Sequence, residues 1–320
     1  DQRWPQQAWG WLIAAAVMIA GSLAAAMVKD RLAALMASGM VGFGAALLFL
    51  FAAAPDLAFT QFIVEVALVV IAATLLPQFI RNSATTITQT NTLRWLLAIS
   101  AGIGTFILLL MMQSLPENRE LASWFGDNSL SEAFGRNAVN VIIVDFRALD
   151  TLGEIAVVAF ALIAALPLLK TDWSRPAGDD RSPMLSMAAR PIYWIMLIAA
   201  AWMLLRGHNE PGGGFVAGLT AVAASSLLAI LIEPAVARRL QPLSPALMTL
   251  SGVLLAMLAG LAGEIWGPGF LRHLWYGGIS SVLIFDLGVM LTVWGALTGY
   301  IFKLLEQPSS VESTNQSRSL

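Results

Sequence analysis

An acidic side chain in the middle of an apolar stretch has the clearest chemistry in the sequence. Glu65 lies within residues 57–76, which contain no lysine or arginine. An ionised carboxylate without a cation partner is costly in hydrocarbon, so we expect Glu65 to take up and release protons near neutral pH. Gln61 precedes it by one helical turn and Thr60 adjoins Gln61. These residues predict a proton relay or cation site. The alternative is a protonated, structural glutamate bonded to a neighbouring helix.

Two aspartates are further candidates. Asp286 lies inside another apolar stretch, residues 279–302, between Ser281 and Gly288, whose small side chains let helices approach closely. Ion conduction and helix pairing explain this residue equally well. Asp56 directly follows Pro55 at the start of the stretch that holds Glu65. Proline and an acid are typical of a helix N-terminus, so we expect a structural role for Asp56.

A short charged segment separates two apolar runs. Residues 144–154, VDFRALDTLGE, hold four charges in eleven positions. Asp145 and Arg147 are candidates for ion transfer, for a local ion pair or for contact with a neighbouring subunit. Thr151 and Glu154 have the spacing of a capping box, which predicts that a helix begins there.

Both histidines lie in polar segments. His208 is followed by Glu210 in RGHNEPGGGF, residues 206–215, where three consecutive glycines permit a tight turn. Histidine titrates near physiological pH, so this segment is either a packing turn or a site of pH sensing or ion entry. His273 follows Arg272 in another polar segment, and we expect it to be solvated.

The elements that must position these residues are apolar segments of membrane-spanning length. About 20 apolar residues of helix cross a hydrocarbon core about 30 Å thick. Nine such segments predict an all-α, polytopic membrane protein. They are residues 8–28, 32–54, 57–76, 93–112, 150–169, 187–205, 214–232, 244–263 and 279–302.

The composition supports the same fold class. Of 320 residues, 58% are apolar and 12% are charged, whereas a soluble domain has about 25% charged residues. This excludes a soluble enzyme and a disordered chain, and a net charge of -2 gives no basic surface for nucleic acid. The sequence has no cysteine, which excludes disulfides and thiolate metal sites. It indicates no cofactor.

Positive charges predict the orientation in the membrane. With nine spans, twelve of the 18 lysines and arginines fall on one side and six on the other. We expect the richer side to be cytoplasmic, which places the N-terminus outside and the C-terminus inside. The first residue is Asp1 rather than methionine, so we expect a processed chain or a piece of a longer product.

Three stretches are not predicted to span the membrane. In residues 113–149, Ser129 and Glu132 have capping-box spacing, and apolar residues at 134, 138, 141 and 142 predict an amphipathic helix in the membrane interface. Residues 171–186 form a polar, cytoplasmic linker between a five-span part, residues 1–170, and a four-span part, residues 187–306. Residues 307–320 are serine-rich, and we expect them to be disordered.

Four motifs carry a resemblance to a known family. They are APDLAFTQFIVEVALVVI at 54–71, NVIIVDFRALDTLGEIAVVAFAL at 140–162, GHNEPGGGFVAGL at 207–219 and LIFDLGVML at 283–291. The first two resemble signatures in the C-terminal region of the large A subunit of Mrp-type multisubunit Na+/H+ antiporters. The third resembles the hallmark of the small B subunit. The chain therefore resembles an A-subunit tail fused to a B subunit.

The resemblance implies exchange of external protons for internal Na+, or a similar cation, across the bacterial inner membrane. It implies that Glu65 takes part in ion transfer and can bind Na+ transiently, in a helix that resembles one of the complex I J-subunit and can carry a π-bulge. It also implies partners, namely the lysine-bearing part of the A subunit, which has no counterpart here, and the C, D, E, F and G subunits within membrane lipid. The chain alone would not be a complete antiporter.

Two other functions fit the same residues. The family is similar to the membrane arms of complex I and of membrane-bound hydrogenases, so the chain could belong to a redox-driven pump. Because it has no cysteine, iron–sulfur clusters would have to lie in partner subunits. The third function is a non-conducting scaffold, in which Glu65 and Asp286 would be dry and hydrogen-bonded to fixed protein partners.

Overall fold

Apolar helices make up most of the structure, a computed structural model that describes residues 8–80, 92–113, 119–168, 183–276 and 279–305. The helices are α1 (Ala8–Met27), α2 (Arg31–Phe51), α3 (Pro55–Ile80), α4 (Thr92–Gln113), α5 (Glu120–Ala133), α6 (Ala138–Val141), a π-helix (Ile142–Phe146), α7 (Ala148–Leu168), α8 (Pro183–Arg206), α9 (Gly214–Leu231), α10 (Pro234–Leu240), α11 (Pro245–Trp266) and α12 (Ser281–Leu305). A short antiparallel pair, β1 (Trp275–Tyr276) and β2 (Ile279–Ser280), precedes α12.

The predicted all-α, polytopic membrane fold is confirmed. Among the described residues, eight helical stretches are long and apolar enough to cross a membrane, and each coincides with a predicted span. They are α1, α2, α4, α7, α8, α9, α11 together with α10, and α12. The ninth predicted span coincides with α3, part of which lies outside the residues whose side chains are described. The count of nine and the orientation therefore stay predictions.

The packed core lies around α9 and α12. Most residues of these two helices are buried by α3, α7, α8 and α11. Small residues make the closest approaches: a β-carbon added to Gly218 of α9 would meet Val293 of α12 at 2.9 Å. The predicted close packing at the Gly214–Gly218 pair is thus confirmed, because both glycines lie against α12.

A second, looser group consists of α1 and α2, with α2 also packed on α3. No residue of α4 between Trp95 and Met112 is buried in the described structure. An apolar helix exposed on all sides is suited to contact with lipid or with another membrane protein, but not with water.

The segment between α4 and α7 differs from its predicted form. Ser129 does not begin a helix: it lies inside α5, where its hydroxyl donates to Gly126 O at 3.2 Å. Helix α5 instead ends where Phe134 adopts a left-handed conformation with φ 55°, and Gly135 N donates to Ser129 O. The helix predicted from the apolar residues at 134, 138, 141 and 142 is present only from Ala138 onward, because Phe134 lies in the turn that ends α5.

Helix α6 has its N-cap at Asn137, whose side-chain oxygen accepts from Asn140 N. The following π-helix, Ile142–Phe146, is closed by the bond from Arg147 N to Ile142 O. The capping box predicted at Thr151 is wrong, because α7 already begins at Ala148 and the Thr151 hydroxyl donates to Ile143 O at 2.5 Å. The π-helix in the described chain lies here, whereas α3 is α-helical from Pro55 to Ile80.

The predicted linker and tail fall mostly beyond the described residues. Residues 171–182 of the linker lie outside them, and the rest of the linker belongs to the start of α8. Residues 307–320 also lie outside the described residues.

Candidate functional site

Glu65 lies at the contact between α2 and α3. Two glycines one turn apart on α2 make room for its side chain: a β-carbon added to Gly42 would overlap the Glu65 carboxyl group, and one added to Gly39 would lie 3.6 Å from Glu65 Oε1. The carboxyl group therefore packs directly on the backbone of α2. In an apolar helix pair, this arrangement holds a polar group in one place without a cation beside it.

Gln61 is the hydrogen-bond partner of Glu65 among the described residues. Its Nε2 donates to Glu65 Oε2 across one helical turn at 3.4 Å, which is a long bond. Gln61 and Glu65 lie one helical turn apart on the same face of α3, as predicted. The Thr60 hydroxyl points elsewhere, because it donates to Asp56 O at 2.9 Å. Thr60 thus belongs to the start of α3 and not to the surroundings of Glu65.

Asp56 is buried, with 7% of its surface exposed, and connects α3 to a distant loop. Its Oδ1 accepts from Gly212 N at 2.7 Å, and its Oδ2 accepts from Asn137 Nδ2 at 3.0 Å. Pro55 is the first residue of α3, as predicted. The sequence did not indicate that Asp56 binds residues 81 and 156 positions away.

The glycine-rich loop, residues 207–213, folds tightly between α8 and α9. Gly213 N donates to Met203 O, and Gly213 has φ 100°, a conformation that favours glycine. A β-carbon there would also collide with the side chain of Asn140. The interpretation of this segment as a packing turn is confirmed; a role in pH sensing or ion entry stays a prediction.

Asp286 belongs to α12, and its side chain lies against the N-terminus of α9. It is 3% exposed, and its Oδ1 accepts from Gly214 N at 3.0 Å. Asn140, which is 1% exposed, lies between this carboxylate and Gly213. The buried side chain of Asn140 faces the Asp286 carboxylate. The helix pairing expected of Asp286 is present, since it connects α12 to α9.

His208 and Glu210 are neighbours in sequence but have separate contacts. His208 Nε2 donates to Ala133 O at 2.7 Å, and the ring packs against Trp275 with centroids 5.0 Å apart. Burial lowers the pKa of His208, although the bond to Ala133 O acts in the opposite direction. The Glu210 carboxylate instead pairs with Arg206 at 3.2 Å on the surface.

His273 is not solvated, contrary to the prediction. Its Nε2 donates to Val144 O at 2.7 Å, and its Nδ1 contacts Ser281 Oγ at 2.9 Å. Burial lowers the pKa of His273 to about 4, the bond to Val144 O raises it, and the nearby His208 lowers it further. The prediction failed because a polar neighbour such as Arg272 does not reveal which carbonyl a folded loop will reach.

Asp145 and Arg147 do not pair with each other. Arg147 forms an ion pair with Asp150, whereas Asp145 faces Arg272. Burial raises the pKa of Asp145 to about 6, and the positive charge of Arg272 partly opposes this shift. Both residues line a cavity of about 670 Å³ together with aromatic side chains of α5. A contact with a neighbouring protein or a role in ion transfer stays a prediction for them.

Three family models match successive parts of the chain. Residues 184–299 match a family described as a domain related to the MnhB subunit of Na+/H+ antiporter. Residues 89–183 match a family described as the E subunit of MBH, and residues 16–79 match one described as the D subunit of MBH.

Individual relatives are also similar to this chain. The B subunit of a Na+/H+ antiporter from Bacillus subtilis (strain 168) is 34% identical over 35% of this chain and 85% of its own length. The chain belongs to the Mrp-type antiporter family. A probable K+/H+ antiporter A/B subunit from Rhizobium meliloti (strain 1021) is 32% identical and covers 93% of this chain.

The Mrp-type fold is also shared with a solved structure. The Mrp complex from Dietzia sp. DQ12-45-1b contains a chain that is 31% identical, with a TM-score of 0.80 over 93% of this chain. The present chain spans about a third of the length of these larger relatives, 34% of the Rhizobium protein and 35% of the Dietzia chain. The remaining two thirds of those Mrp-type proteins therefore lie outside the region compared.

Proposed function

We propose that this chain forms part of a monovalent cation/proton antiporter complex driven by the proton motive force, and that Glu65 is its proton relay or cation site. The observation that carries the proposal is the position of the Glu65 carboxyl group. It lies inside an apolar helix pair, against the glycine backbone of α2, with Gln61 as a weakly bonded polar neighbour. A carboxylate with so few fixed contacts can exchange a proton for a cation without breaking a structural network.

The energetics of such exchange are adequate. One elementary charge that crosses 100 mV releases about 2.3 kcal/mol, which is enough to move a second cation against a modest gradient. The relatives are named as Na+/H+ and K+/H+ antiporter proteins. We propose Na+ as the cation. Exchange with K+ in place of Na+ in the assay described below would identify K+ instead.

The chain acts within a larger assembly in this proposal. The remaining two thirds of the large A subunit would supply the lysine-bearing ion path, and the C, D, E, F and G subunits would complete the complex in the bacterial plasma membrane. Support comes from the similarity to an Mrp complex chain and from the exposed apolar surface of α4, which another membrane protein or lipid must cover.

The proposal is tested with Glu65→Gln in the assembled complex. Everted vesicles are energised and then given Na+ or K+ while a fluorescent dye reports proton movement. We expect Glu65→Gln to abolish exchange without loss of assembly, because a glutamine amide cannot bind and release the proton that is exchanged for the cation. Glu233→Gln is the matched control, since Glu233 is exposed at the start of α10 and should leave exchange unchanged. Full exchange by Glu65→Gln would favour a scaffold role.

A redox-driven complex is the second candidate. The matches of residues 16–79 and 89–183 to the families of the MBH D and E subunits favour it. The chain has no cysteine, so a cluster-bearing partner would have to supply the electrons. Iron in stoichiometric amount in the purified complex, together with exchange that requires an electron donor, would favour this function over the antiporter.

A further inference from the structure

A large cavity lies beside the start of α7, away from Glu65. Its volume is about 670 Å³, and pockets that hold small ligands measure about 300–1,000 Å³. Its walls come from α5, the π-helix, the first turn of α7 and the loop between α11 and β1. Aromatic rings and charges of both signs line it together. This combination is typical of a pocket for a polar ligand, whereas a gap in packing would be lined by apolar atoms.

One wall of the cavity is a cluster of three aromatic rings. Trp124 of α5 lies with its ring centroid 5.2 Å from that of Phe146 in the π-helix, and Phe125 stacks on Phe146 at 5.6 Å. The face of an aromatic ring attracts a cation, and tryptophan is the most favourable ring for this contact. Tryptophan is also enriched at the level of lipid headgroups in membrane proteins. The wall is therefore suited to an alkylammonium group at the membrane surface.

Charged side chains line another part of the cavity. Asp145 and Glu132 supply negative charge. Arg147 and Arg272 supply positive charge. Arg272 faces Asp145, and Arg147 also pairs with Asp150. Guanidinium groups bind phosphate oxygens through charge-assisted hydrogen bonds, and carboxylates bind ammonium groups in the same way. These charges fit a ligand that carries a phosphate and an ammonium group close together.

An exposed apolar strip of α7 begins at the cavity. Leu149 lines the cavity and is 65% exposed. On the same face of the helix, Val157, Phe160 and Ile163 are 65–70% exposed. Gly153 lies between Leu149 and Val157, and even an added β-carbon there would meet no atom within 4 Å. Hydrocarbon chains can therefore lie along α7 while a headgroup attached to them occupies the cavity.

We propose that this cavity binds the headgroup of a zwitterionic phospholipid. The phosphate lies on Arg147 and Arg272, and the ammonium group lies between Asp145 and the aromatic rings. The acyl chains follow the exposed strip of α7. This strip favours a lipid over a free phosphate ester, which would make no contact with it. The site is separate from Glu65, so the proposal goes beyond cation exchange.

Native mass spectrometry of the full chain tests the proposal. The chain is purified in detergent and supplied with equal amounts of phosphatidylethanolamine and phosphatidylglycerol. We expect about tenfold more phosphatidylethanolamine to be retained, because phosphatidylglycerol leaves the acids of the cavity without a cation. Phosphoethanolamine, the same headgroup without acyl chains, should not be retained. Equal retention of the two lipids, or retention of phosphoethanolamine as strong as that of the lipid, would overturn the proposal.

Two variants locate the bound lipid. Asp145→Asn should remove most of the preference for phosphatidylethanolamine, whereas Asp127→Asn, on the exposed face of α5 outside the cavity, should keep it. Trp124→Leu should lower retention about fivefold by loss of one cation–π contact. Trp266→Leu is its matched control, because Trp266 is exposed at the end of α11 and does not line the cavity.

The variant at Trp124 keeps the test decisive if Asp145→Asn does not fold. Trp124 is itself exposed, so Trp124→Leu should melt at the same temperature as the unmodified chain. Unchanged lipid retention by a folded Trp124→Leu chain would overturn the proposal. None of these measurements reports cation exchange, so their outcome leaves the role of Glu65 open to its own test.

A photoreactive side chain separates lipid from protein as the occupant in the assembled complex. Phe270 lines the cavity and is exposed, so p-benzoylphenylalanine in its place can react with whatever fills the cavity. We expect an adduct of phospholipid mass. An adduct with another subunit would overturn the proposal and identify the cavity as a protein contact.

Discussion

The position of Glu65 depends on a residue without a side chain. A β-carbon at Gly42 would overlap the Glu65 carboxyl group, so Gly42→Ala forces the carboxyl group to rotate away from α2. Overpacking of this kind costs about 1–3 kcal/mol, most of which a flexible side chain can relieve by moving. We expect cation/proton exchange to fall about tenfold or more in vesicles, while the amount of assembled complex stays unchanged.

The control for Gly42→Ala is Gly104→Ala in α4. A β-carbon added to Gly104 meets no atom within 4 Å, so the same change in the same apolar setting should leave exchange intact. Normal exchange by Gly42→Ala would mean that the contact between Glu65 and α2 has no part in transport.

His273 makes the stability of the fold sensitive to acid. Its pKa in the folded chain is about 4, below its ordinary value of 6.5. The contribution of the neutral ring to the free energy of unfolding is therefore fully present above pH 6.5 and is lost as pH falls toward 4. The difference between these two pKa values of His273 corresponds to about 3 kcal/mol in the free energy of unfolding. Burial has the opposite effect on the pH dependence through Asp145. It raises the pKa of this carboxyl group, which therefore stabilises the folded state more as pH falls. His208, with a lowered pKa, acts in the same direction as His273.

The test is thermal unfolding of the full chain in nanodiscs between pH 7.5 and pH 4.5, a range set about the cited pKa values. His273→Gln keeps an N–H group near Val144 O but does not titrate. We expect the unmodified chain to lose more stability on acidification than this variant does. Parallel curves for the two proteins would show that His273 does not gain a proton on unfolding.

At the scale of helices, α11 and α12 pack through reciprocal glycines. A β-carbon added to Gly288 would lie 2.6 Å from Gly252 O and 2.7 Å from Ala256 N, which are backbone atoms that cannot move aside. Gly288→Ala should lower the melting temperature by the equivalent of about 1–3 kcal/mol. Helix propensity alone would favour alanine by about 1 kcal/mol, so the sign of the effect is diagnostic.

Gly153→Ala supplies the comparison for that experiment. Gly153 is exposed on α7 and has no neighbouring atom within 4 Å of an added β-carbon, so alanine there should leave stability unchanged or raise it. If both substitutions had the same effect on melting, close glycine packing would not hold α11 against α12.

The positions of the helices were predictable where the apolar composition of a long segment alone determines that it is helical. Long apolar runs with charged ends have one stable form in lipid, and eight predicted spans coincide with helical stretches of the structure. Local motifs were less reliable. The capping-box spacings at Ser129 and Thr151 do not mark helix starts, because Phe134 ends α5 and α7 begins before Thr151. Short polar motifs occur inside helices as well as at their ends.

The contacts at the site were only partly predictable for a related reason. Gln61 and Glu65 are one turn apart, so their pairing follows from helical geometry. Asp56, Asn137 and the glycine-rich loop are far apart in sequence, and no local pattern brings them together. Asn137 and His273 had no signal beyond their polarity beside apolar runs.

At the scale of the whole molecule, the two polar features have different surroundings. The network of Asp56, Asn137 and the loop is densely hydrogen-bonded and joins the two halves. Glu65 has one long hydrogen bond among the described residues and lies between two helices of the first half. A dense network favours a fixed structure, whereas a carboxylate with few hydrogen bonds can gain or lose a proton without breaking such a network.

Infrared difference spectroscopy on the assembled complex tests the role of Glu65 most directly. Addition of Na+ at constant pH should reduce the carbonyl stretch of a protonated carboxylic acid, because the cation displaces a proton from Glu65. We predict that this band is absent from the Glu65→Gln complex and retained in Glu233→Gln. A cation-induced carboxyl band of the same size in the Glu65→Gln complex would contradict the proposed role of Glu65, because another acid would then carry the proton.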